Sequence, residues 1–362
     1  MIIKSLELMD FRNYEALNIQ FGSGINILYG DNAQGKTNIL EAIFLSATTK
    51  SHRGTKDKDI IRFGAEEGHI RLHLLNSENV ESRIDIHIRK SKTKGIAIDG
   101  VKLKKATELL GKLNVVLFSP EDLDIIKGGP GERRRFTDME LCQLDDFYIY
   151  NLNNYNKIVN QRNNLLKDLY FNPSLKETIG IWDSQLVSYG SKVIERRQSF
   201  VDQLNDVIGP VHEKLSGGRE SLRIIYDPNV SIENFEKELS ASTDKDIKSK
   251  MTNVGPHRDD FIFMIGDLDV RRFGSQGQQR TAALSLKLAE IDIVKKLAND
   301  TPVLLLDDVL SELDTGRQNF LLDSIGDVQT IVTCTGLEEF VNGRLKIDKV
   351  FEISNGTLVD SK

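Results

Sequence analysis

The chain has 362 residues and a formal net charge of −6, set by 48 lysines and arginines against 54 aspartates and glutamates. Its composition, 39% hydrophobic and 28% charged, is that of a globular protein with enough chain for two or three domains of roughly 150 residues each. No apolar run approaches the ~18 residues of a membrane-spanning helix, so we expect no membrane partner. The cysteines Cys142 and Cys334, far apart and without histidines at ligand spacing, argue against a disulfide framework or a zinc site, and we expect a cytoplasmic protein.

The first 120 residues are predicted to form mostly β-strands. Stretches that alternate apolar and polar residues, or that are rich in β-branched residues, lie between turn residues. They are IKSLELMDF, ALNIQF, GINILYG, HIRLHLL and SRIDIHIRK. One helix interrupts them at 37–46, where apolar residues fall at positions 39, 40, 43 and 44.

The segment before that helix fits a phosphate-binding loop. GDNAQGKT (30–37) matches G-x-x-x-x-G-K-[ST], and it follows a predicted strand and opens a predicted helix. The glycines allow the loop to curl so that backbone N–H groups converge on a phosphate, the lysine neutralises phosphate charge, and the threonine hydroxyl can bind Mg²⁺. The sequence therefore predicts a nucleotide site. Its predicted loop residues are Gly30, Asp31, Asn32, Ala33, Gln34, Gly35, Lys36 and Thr37.

Positive charge is concentrated in the segment that follows. Between residues 50 and 112 there are 15 basic residues and 9 acidic ones, and residues 1–120 carry a net charge of +4 while the remainder carries −10. A solvated, lysine-decorated surface and a contact surface for a phosphate backbone both explain this excess. Charge alone does not decide between them.

From about Gly131 the apolar residues recur at helical spacing as far as Leu169, and again from Ile179 to Leu215, where two glycines end the pattern. Two long helices joined by a short turn that contains proline predict an antiparallel helical arm, and we assign its leucine and aromatic stripes to packing. After residue 260 strands and helices alternate again. The predicted domains are 1–125 and 251–362, which together form an α/β nucleotide-binding head, and an inserted helical arm at 126–250.

An acidic pair ends the apolar strand in LLLDDVLSELD (304–314). Asp307 at the strand end can hold Mg²⁺ through water beside the phosphate loop, and Asp308 can orient or deprotonate an attacking water. Two acids at the solvent end of a strand are common, but a phosphate loop upstream favours the catalytic interpretation. The predicted catalytic residues are Lys36, Asp307 and Asp308, and the predicted Mg²⁺ ligands are Thr37 and Asp307.

A third motif stands about 30 residues before the acidic pair. In FGSQGQQRTAALSLKLAE (273–290), Ser275, Gly277 and Gln278 match positions of the LSGGQ signature of ABC-type ATPases. The motif precedes a predicted helix, so the serine hydroxyl and the first helical N–H groups could contact a γ-phosphate. A loop of Ser, Gly and Gln is by itself typical of a linker. Its position between the phosphate loop and the acidic pair favours the interpretation as a signature motif over a linker.

The order of these motifs is similar to that of the SMC-like branch of ABC ATPases, and within it the chain resembles the RecF family of bacterial recombination mediators over essentially its whole length. The resemblance rests on DFRNY (10–14), GDNAQGKTNILEAI (30–43), KSHR (50–53), FSPEDLDIIKGGPGERRRF (118–136), GPHRDD (255–260), FGSQGQQRT (273–281) and LLDDVLSELD (305–314). It implies an ABC-type ATPase head, with mixed or antiparallel strands beside a parallel core sheet, and a short helical arm.

If this chain shares the function of the family it resembles, the resemblance implies an ATP-dependent homodimer that closes on double-stranded DNA near single-strand/double-strand junctions. RecR and RecO would then be recruited and RecA loaded onto the gap, in DNA repair associated with the nucleoid. Arg12 and Arg53 resemble the basic residues that reach nucleotide phosphates in SMC-like heads, although each could be an ordinary surface arginine. The segment 311–314 resembles the D-loop, which crosses the dimer interface.

The chain departs from ABC transporters at three positions. Asp308 stands where a catalytic glutamate is usual, Cys334 occupies the place of the switch histidine, and FSPED (118–122) replaces a clear Q-loop glutamine. Because these groups activate water and sense the γ-phosphate, we expect a weak, DNA-stimulated ATPase that acts as a switch. The alternative is an SMC-like DNA clamp with negligible hydrolysis. A transporter subunit would need the Q-loop and no helical arm, and a small-molecule kinase would not need the signature.

Overall fold

The computed structural model describes residues 1–169, 171–298, 300–326, 328–336 and 347–361. No helix within these ranges is both long and apolar enough to cross a membrane. The strands are β1 (Ile2–Phe11), β2 (Tyr14–Gln20), β3 (Ile25–Tyr29), β4 (Glu67–Leu75), β5 (Glu81–Arg89), β6 (Lys92–Ile98), β7 (Val101–Lys102), β8 (Val115–Phe118), β9 (Leu222–Asp227), β10 (Asp260–Ile265), β11 (Leu268–Asp269), β12 (Val303–Asp307), β13 (Thr330–Cys334), β14 (Ile347–Ser354) and β15 (Thr357–Ser361). The helices are α1 (Lys36–Thr48), α2 (Leu123–Lys127), α3 (Pro130–Leu144), α4 (Asp146–Asp168), α5 (Ile179–Ser216), α6 (Phe235–Ala241), α7 (Thr243–Ser249), α8 (Val270–Phe273), α9 (Gln276–Ala298) and α10 (Thr315–Ile325).

The chain divides into two compact units, one formed by Met1–Asp122 with Lys287–Lys362 and the other by Leu123–Leu286. A head built from both chain ends agrees with the sequence interpretation, but its second boundary lies at 286 instead of 250. The reason is a long-range strand pair: β10 pairs antiparallel with β9, so the segment after residue 250 completes a three-stranded sheet, β11-β10-β9, inside the helical unit.

The nucleotide motifs of the first unit follow the strands of one sheet, ordered β15-β14-β3-β13-β12-β8. Apart from the antiparallel edge strand β15, neighbouring strands in this sheet run parallel. All five residues of β12 and of β13 are buried, which is typical of parallel strands covered on both faces. Because the carboxyl ends of parallel strands meet at one edge, the segments after β3, β12, β13 and β8 gather there.

The second sheet of this unit is antiparallel, ordered β2-β1-β4-β5-β6-β7. Its strands alternate between the core and an exposed face, as the sequence pattern predicts. In β4, for example, Ile70 and Leu72 are buried while His69 and Arg71 point to the other face. This exposed face carries much of the basic segment 50–112.

The helical unit contains the predicted pair of long helices. α4 and α5 pack against each other, and α5 ends where Gly217 adopts a left-handed conformation with φ of 70°. The stripe residues of α5 such as Leu186, Val193 and Leu204 are buried, which confirms their assignment to packing. The fold is thus the predicted α/β head with an inserted helical unit.

Buried arginines fix the helices of this unit. Arg197 on α5 pairs with Asp138 at 2.7 Å and with Asp259 at 2.8 Å. Arg162 on α4 pairs with the buried Asp246 at 2.6 Å. Removing one partner of such a pair leaves an uncompensated buried charge, at a cost of about 3–5 kcal/mol.

Candidate functional site

The predicted phosphate loop, residues 30–37, begins directly after β3 and includes the first two residues of α1. Gly30 has a φ of 147° and Gly35 a φ of 114°, both in the region that favours glycine. A Cβ at Gly35 would also lie 2.8 Å from the hydroxyl oxygen of Tyr14. Both predicted glycines are therefore required by backbone geometry.

Neighbouring segments brace this loop. The Tyr14 hydroxyl donates to the carbonyl of Gly35 at 3.0 Å, and the Asn13 side chain donates to the carbonyl of Gln34 at 2.9 Å. From the turn between β14 and β15, the backbone N–H of Asn355 donates to the Gln34 side chain at 2.5 Å. Sequence reasoning assigned only the arginine of DFRNY to the site and missed the two polar residues that follow it.

Lys36 lies within the curl of the loop. Its ammonium donates to the carbonyl oxygens of Gly30 and, at 2.8 Å, of Asp31. Burial lowers the pKa of Lys36, and the negative charge of Asp308 is the largest of the effects that oppose it. The loop thus holds a cation among inward-facing backbone groups.

Thr37 and Asp307 meet at the edge where α1 begins and β12 ends. The Thr37 hydroxyl donates to Oδ1 of Asp307 at 2.8 Å, and the Thr333 hydroxyl donates to the same oxygen at 2.9 Å. Burial raises the pKa of Asp307, while these two hydrogen bonds oppose the rise. Adjacent ligand oxygens around an octahedral Mg²⁺ lie about 3 Å apart, so this hydroxyl–carboxylate pair fits that ion.

Asp308 has an unusual backbone conformation. Its φ is 54°, in the left-handed region, and its N–H donates to the Thr333 hydroxyl at 3.0 Å. Its side chain is partly exposed, and its charge acts on Lys36. Thr333, which contacts both acids of the pair, was not identified from sequence, although it lies near the carboxyl end of the neighbouring parallel strand β13.

The two predicted phosphate-contacting arginines differ in their surroundings. Arg12 forms a two-point ion pair with the buried Glu41, at 2.8 Å and 2.5 Å, and donates to Thr55 at 3.0 Å. Burial alone would raise the pKa of Glu41, but hydrogen bonds from Arg12 and Ser51 lower it. Arg12 therefore links DFRNY to α1.

The Arg53 guanidinium donates to the Asn38 side chain at 3.3 Å, beside the phosphate loop, and the residue is exposed. Its charge also lowers the pKa of Asp307, against the larger opposing effect of burial. Of the two arginines, Arg53 is the more exposed.

The positions that depart from ABC transporters lie at the same sheet edge. Cys334 ends β13 opposite Tyr29 of β3 and is buried. FSPED begins at the last residue of β8, which pairs with Leu306, and the charge of Glu121 acts on Asp307. In the segment 311–314, the Ser311 hydroxyl donates to the carbonyl of Asp308 at 2.8 Å.

The signature residues belong to the helical unit, at the start of α9. The Ser275 hydroxyl accepts the N–H of Gln278 at 3.2 Å, and the Gln278 side chain accepts the N–H of Ser275 at 2.8 Å. This reciprocal pair is a capping box, and it leaves the hydroxyl hydrogen of the exposed Ser275 as a donor. A Cβ built at Gly277 would lie 3.9 Å from the Ser275 hydroxyl oxygen.

A residue missed from sequence holds the signature in place. The Gln278 side chain donates to Oε1 of Glu220 at 2.8 Å. Glu220 follows the C-terminal end of α5 and lies 3.6 Å from Nε2 of the buried His212. The helix of the arm and the signature are thereby joined through one carboxylate.

Comparisons with known proteins agree with these motifs. A family model described as the RecF/RecN/SMC N terminal domain matches residues 2–358. The "DNA replication and repair protein RecF" of Lachnospira eligens is 60% identical over 362 residues and covers 99% of both chains. The chain belongs to the RecF family.

Solved structures agree with this placement in the RecF family. One described as the recombination mediator protein RecF-ATP in the RecFOR pathway superposes with a TM-score of 0.93 at 35% identity, covering 99% of this chain and 97% of the other. A Smc head domain from Pyrococcus furiosus, at 18% identity and a TM-score of 0.59, covers 99% of this chain and 96% of the other and shares the fold. Fold and family are therefore those that the motif order predicts.

Proposed function

We propose that this RecF-family chain is an ATP-dependent DNA-binding protein of recombinational repair, in which ATP closes a homodimer on duplex DNA. The observation that carries the proposal is the 2.8 Å Thr37–Asp307 contact at the end of a braced phosphate loop. The relative whose structure is described as RecF-ATP supports ATP as the nucleotide.

Each residue of the loop has a distinct task in this proposal. Backbone N–H groups of the loop and of the start of α1 bind the phosphates, and Lys36 balances their charge. Thr37 and Asp307 would hold Mg²⁺, which neutralises the γ-phosphate when bound. Arg53 adds a second positive charge from the side of Asn38.

Asp308 is the proposed base, and it sets a slow rate. Its carboxylate would orient or deprotonate the attacking water. The aspartate side chain is one methylene shorter than that of glutamate, and the Asp308 backbone has a left-handed conformation. The result is weak, DNA-stimulated hydrolysis that resets the dimer. Because Asp308 and Cys334 are unusual for ABC ATPases, a clamp with negligible hydrolysis is the second candidate.

Each ATP site is proposed to be completed by the signature of the partner subunit. Ser275 keeps a hydroxyl donor at the N-terminus of the 23-residue helix α9, where a phosphate is favoured by helix N–H groups and by the helix dipole. In a twofold dimer this arrangement gives two equivalent sites, each using both chains. ATP would then hold the dimer together.

DNA binding is proposed to use the exposed face of the antiparallel sheet. A groove of about 1280 Å³ runs along this face, and its lining includes the exposed Lys92, Lys102 and Lys104. Lys94 also lines it, but its charge is paired with Asp57 at 2.9 Å. A lysine-rich face without a base-reading motif fits binding to the phosphate backbone, independent of sequence.

Membership of the RecF family supports the proposed protein partners. The RecFOR pathway named for the related structure supports RecR and RecO as partners, with loading of RecA at single-strand/double-strand junctions as the outcome. We place this activity in the cytoplasm, at the nucleoid.

Light scattering, which reports the oligomeric state, and a duplex-binding assay together test the proposal. Both are run on four samples: without nucleotide, with ADP, with ATP, and with a non-hydrolysable ATP analogue. We expect a dimer and tight DNA binding only with ATP or the analogue, and steep weakening by salt because phosphate contacts release counterions. A monomer in every state, or DNA binding that ignores nucleotide, would contradict the proposal. ATP turnover measured on the same samples separates the slow switch from the clamp that does not hydrolyse ATP.

A further inference from the structure

Two histidines and a glutamate lie side by side on the exposed face of β4 and β5. The strands are antiparallel, with His69 directly opposite His87 and Glu67 opposite Arg89. Glu67 and His69 are two residues apart on one strand and therefore share a face. The backbone register alone thus brings three metal-ligating side chains into one group.

The side-chain atoms of this group converge. The two imidazole rings stack with centroids 4.0 Å apart and an interplanar angle of 21°. Oε2 of Glu67 lies 2.8 Å from Nε2 of His87, and Oε1 lies 3.9 Å from Nε2 of His69. One ligand atom from each residue lies within 4.8 Å of the other two.

These distances are close to those of a coordinated ion. A tetrahedral Zn²⁺ with ligands at about 2.1 Å holds its ligand atoms about 3.4 Å apart. The ligand atoms therefore need to shift by roughly an ångström, and the stacked rings must rotate apart so that both nitrogen lone pairs point at the ion. Within the part of the chain that the structure describes, this is the group of His, Cys, Asp and Glu residues with such geometry.

We propose that Glu67, His69 and His87 form a Zn²⁺ site on the exposed face of the antiparallel sheet. Two imidazoles and one carboxylate are a common zinc ligand set, and three protein ligands leave a fourth position for water. His69 and His87 also line the groove on this face, so the fourth position opens into it.

Arg89 competes with the ion. Its guanidinium donates to Nδ1 of His87 at 2.9 Å and lies 3.8 Å from Oε2 of Glu67. Zinc bound at Nε2 requires the proton on Nδ1, so Arg89 must move away when the ion binds. Removing its charge should therefore strengthen zinc binding.

Isothermal titration of the full, tag-free chain with ZnCl₂ at pH 7.5 tests the site. We expect one Zn²⁺ per chain, and a loss of affinity of about tenfold or more in His69→Gln, His87→Gln and Glu67→Gln. His73→Gln is the matched control, since His73 lies on the same face of β4 opposite Arg83 and outside the cluster. Arg89→Met should bind zinc more tightly than the unmodified chain.

Absence of saturable binding would overturn the proposal. It would also fail if His69→Gln and Glu67→Gln bound zinc as tightly as His73→Gln, because the ion would then lie elsewhere. Circular dichroism of the metal-free variants checks folding. Should a histidine variant fail to fold, Glu67→Gln and Arg89→Met, which change exposed side chains, decide the question by their opposite expected shifts.

Discussion

Glu220→Ala should weaken the ATP-dependent dimer while leaving ATP binding to the monomer intact. The substitution removes the 2.8 Å hydrogen bond that holds Gln278 of the signature. A hydrogen bond to a charged group contributes about 1.5–3 kcal/mol, and the lower value applies because the Glu220 side chain is 29% exposed. Because this hydrogen bond lies within one subunit, its loss weakens the dimer only by the cost of ordering the freed signature. Over two equivalent sites that loss is at most about 3 kcal/mol, or roughly 100-fold in the dimer dissociation constant.

Sedimentation of the dimer with a non-hydrolysable ATP analogue measures this constant, and a fluorescent nucleotide titrated at low protein concentration measures monomer affinity. Glu220→Gln keeps an acceptor and should lose less. Glu213→Ala is the matched control, an exposed acid one turn from the end of α5. Equal dimerisation by Glu220→Ala and Glu213→Ala would refute the idea that this carboxylate positions the signature.

Three further outcomes are expected. Asp308→Asn keeps the side-chain shape and removes the base, so the ATP turnover rate should fall while nucleotide affinity stays within about twofold. Equal decreases in turnover rate and nucleotide affinity would assign Asp308 to nucleotide binding. Lys92→Glu should weaken binding of every duplex sequence alike and lower the salt slope, whereas Lys237→Glu on the helical unit should not, as a filter-binding salt series would report. Desolvation lowers the pKa of His52 from 6.5 to about 4, so the contribution of the neutral imidazole to the free energy of unfolding is complete above pH 6.5 and is lost as the pH falls toward 4. Between pH 8 and pH 5, urea unfolding should show the free energy of unfolding of the unmodified chain falling by about 2 kcal/mol more than that of His52→Phe. Equal decreases would contradict the lowered pKa.

The parts of the fold and site that the sequence predicts correctly are those set by local pattern. The phosphate loop follows from glycine geometry and its position between β3 and α1. The long helix α5 follows from its apolar period and ends at the predicted glycine. The edge that gathers the loop and Asp307 follows from parallel strands, whose carboxyl ends must meet.

What the sequence does not predict depends on partners that are distant along the chain. Arg12 is tied to Glu41, 29 residues away, and Gln278 to Glu220, 58 residues away. Lys94 is paired with Asp57, so the basic segment presents less unpaired positive charge than its number of lysines and arginines implies. The segment after residue 250 joins the helical unit for the same reason, since β9 and β10 pair across the intervening helices. Periodicity and motif spacing carry no information about such pairings.

Mixing two inactive variants tests whether each ATP site uses the phosphate loop of one subunit and the signature of the other. Lys36→Met should lose ATP binding, and Ser275→Arg should bind ATP without dimerising. A mixed dimer would contain one doubly damaged site and one intact site. Because neither variant forms an ATP-held homodimer, the dimers in an equal mixture are the mixed ones. Half of their sites are intact, so up to roughly half of the original hydrolysis should return. No recovery, with mixed dimers shown by cross-linking to form, would contradict the shared site.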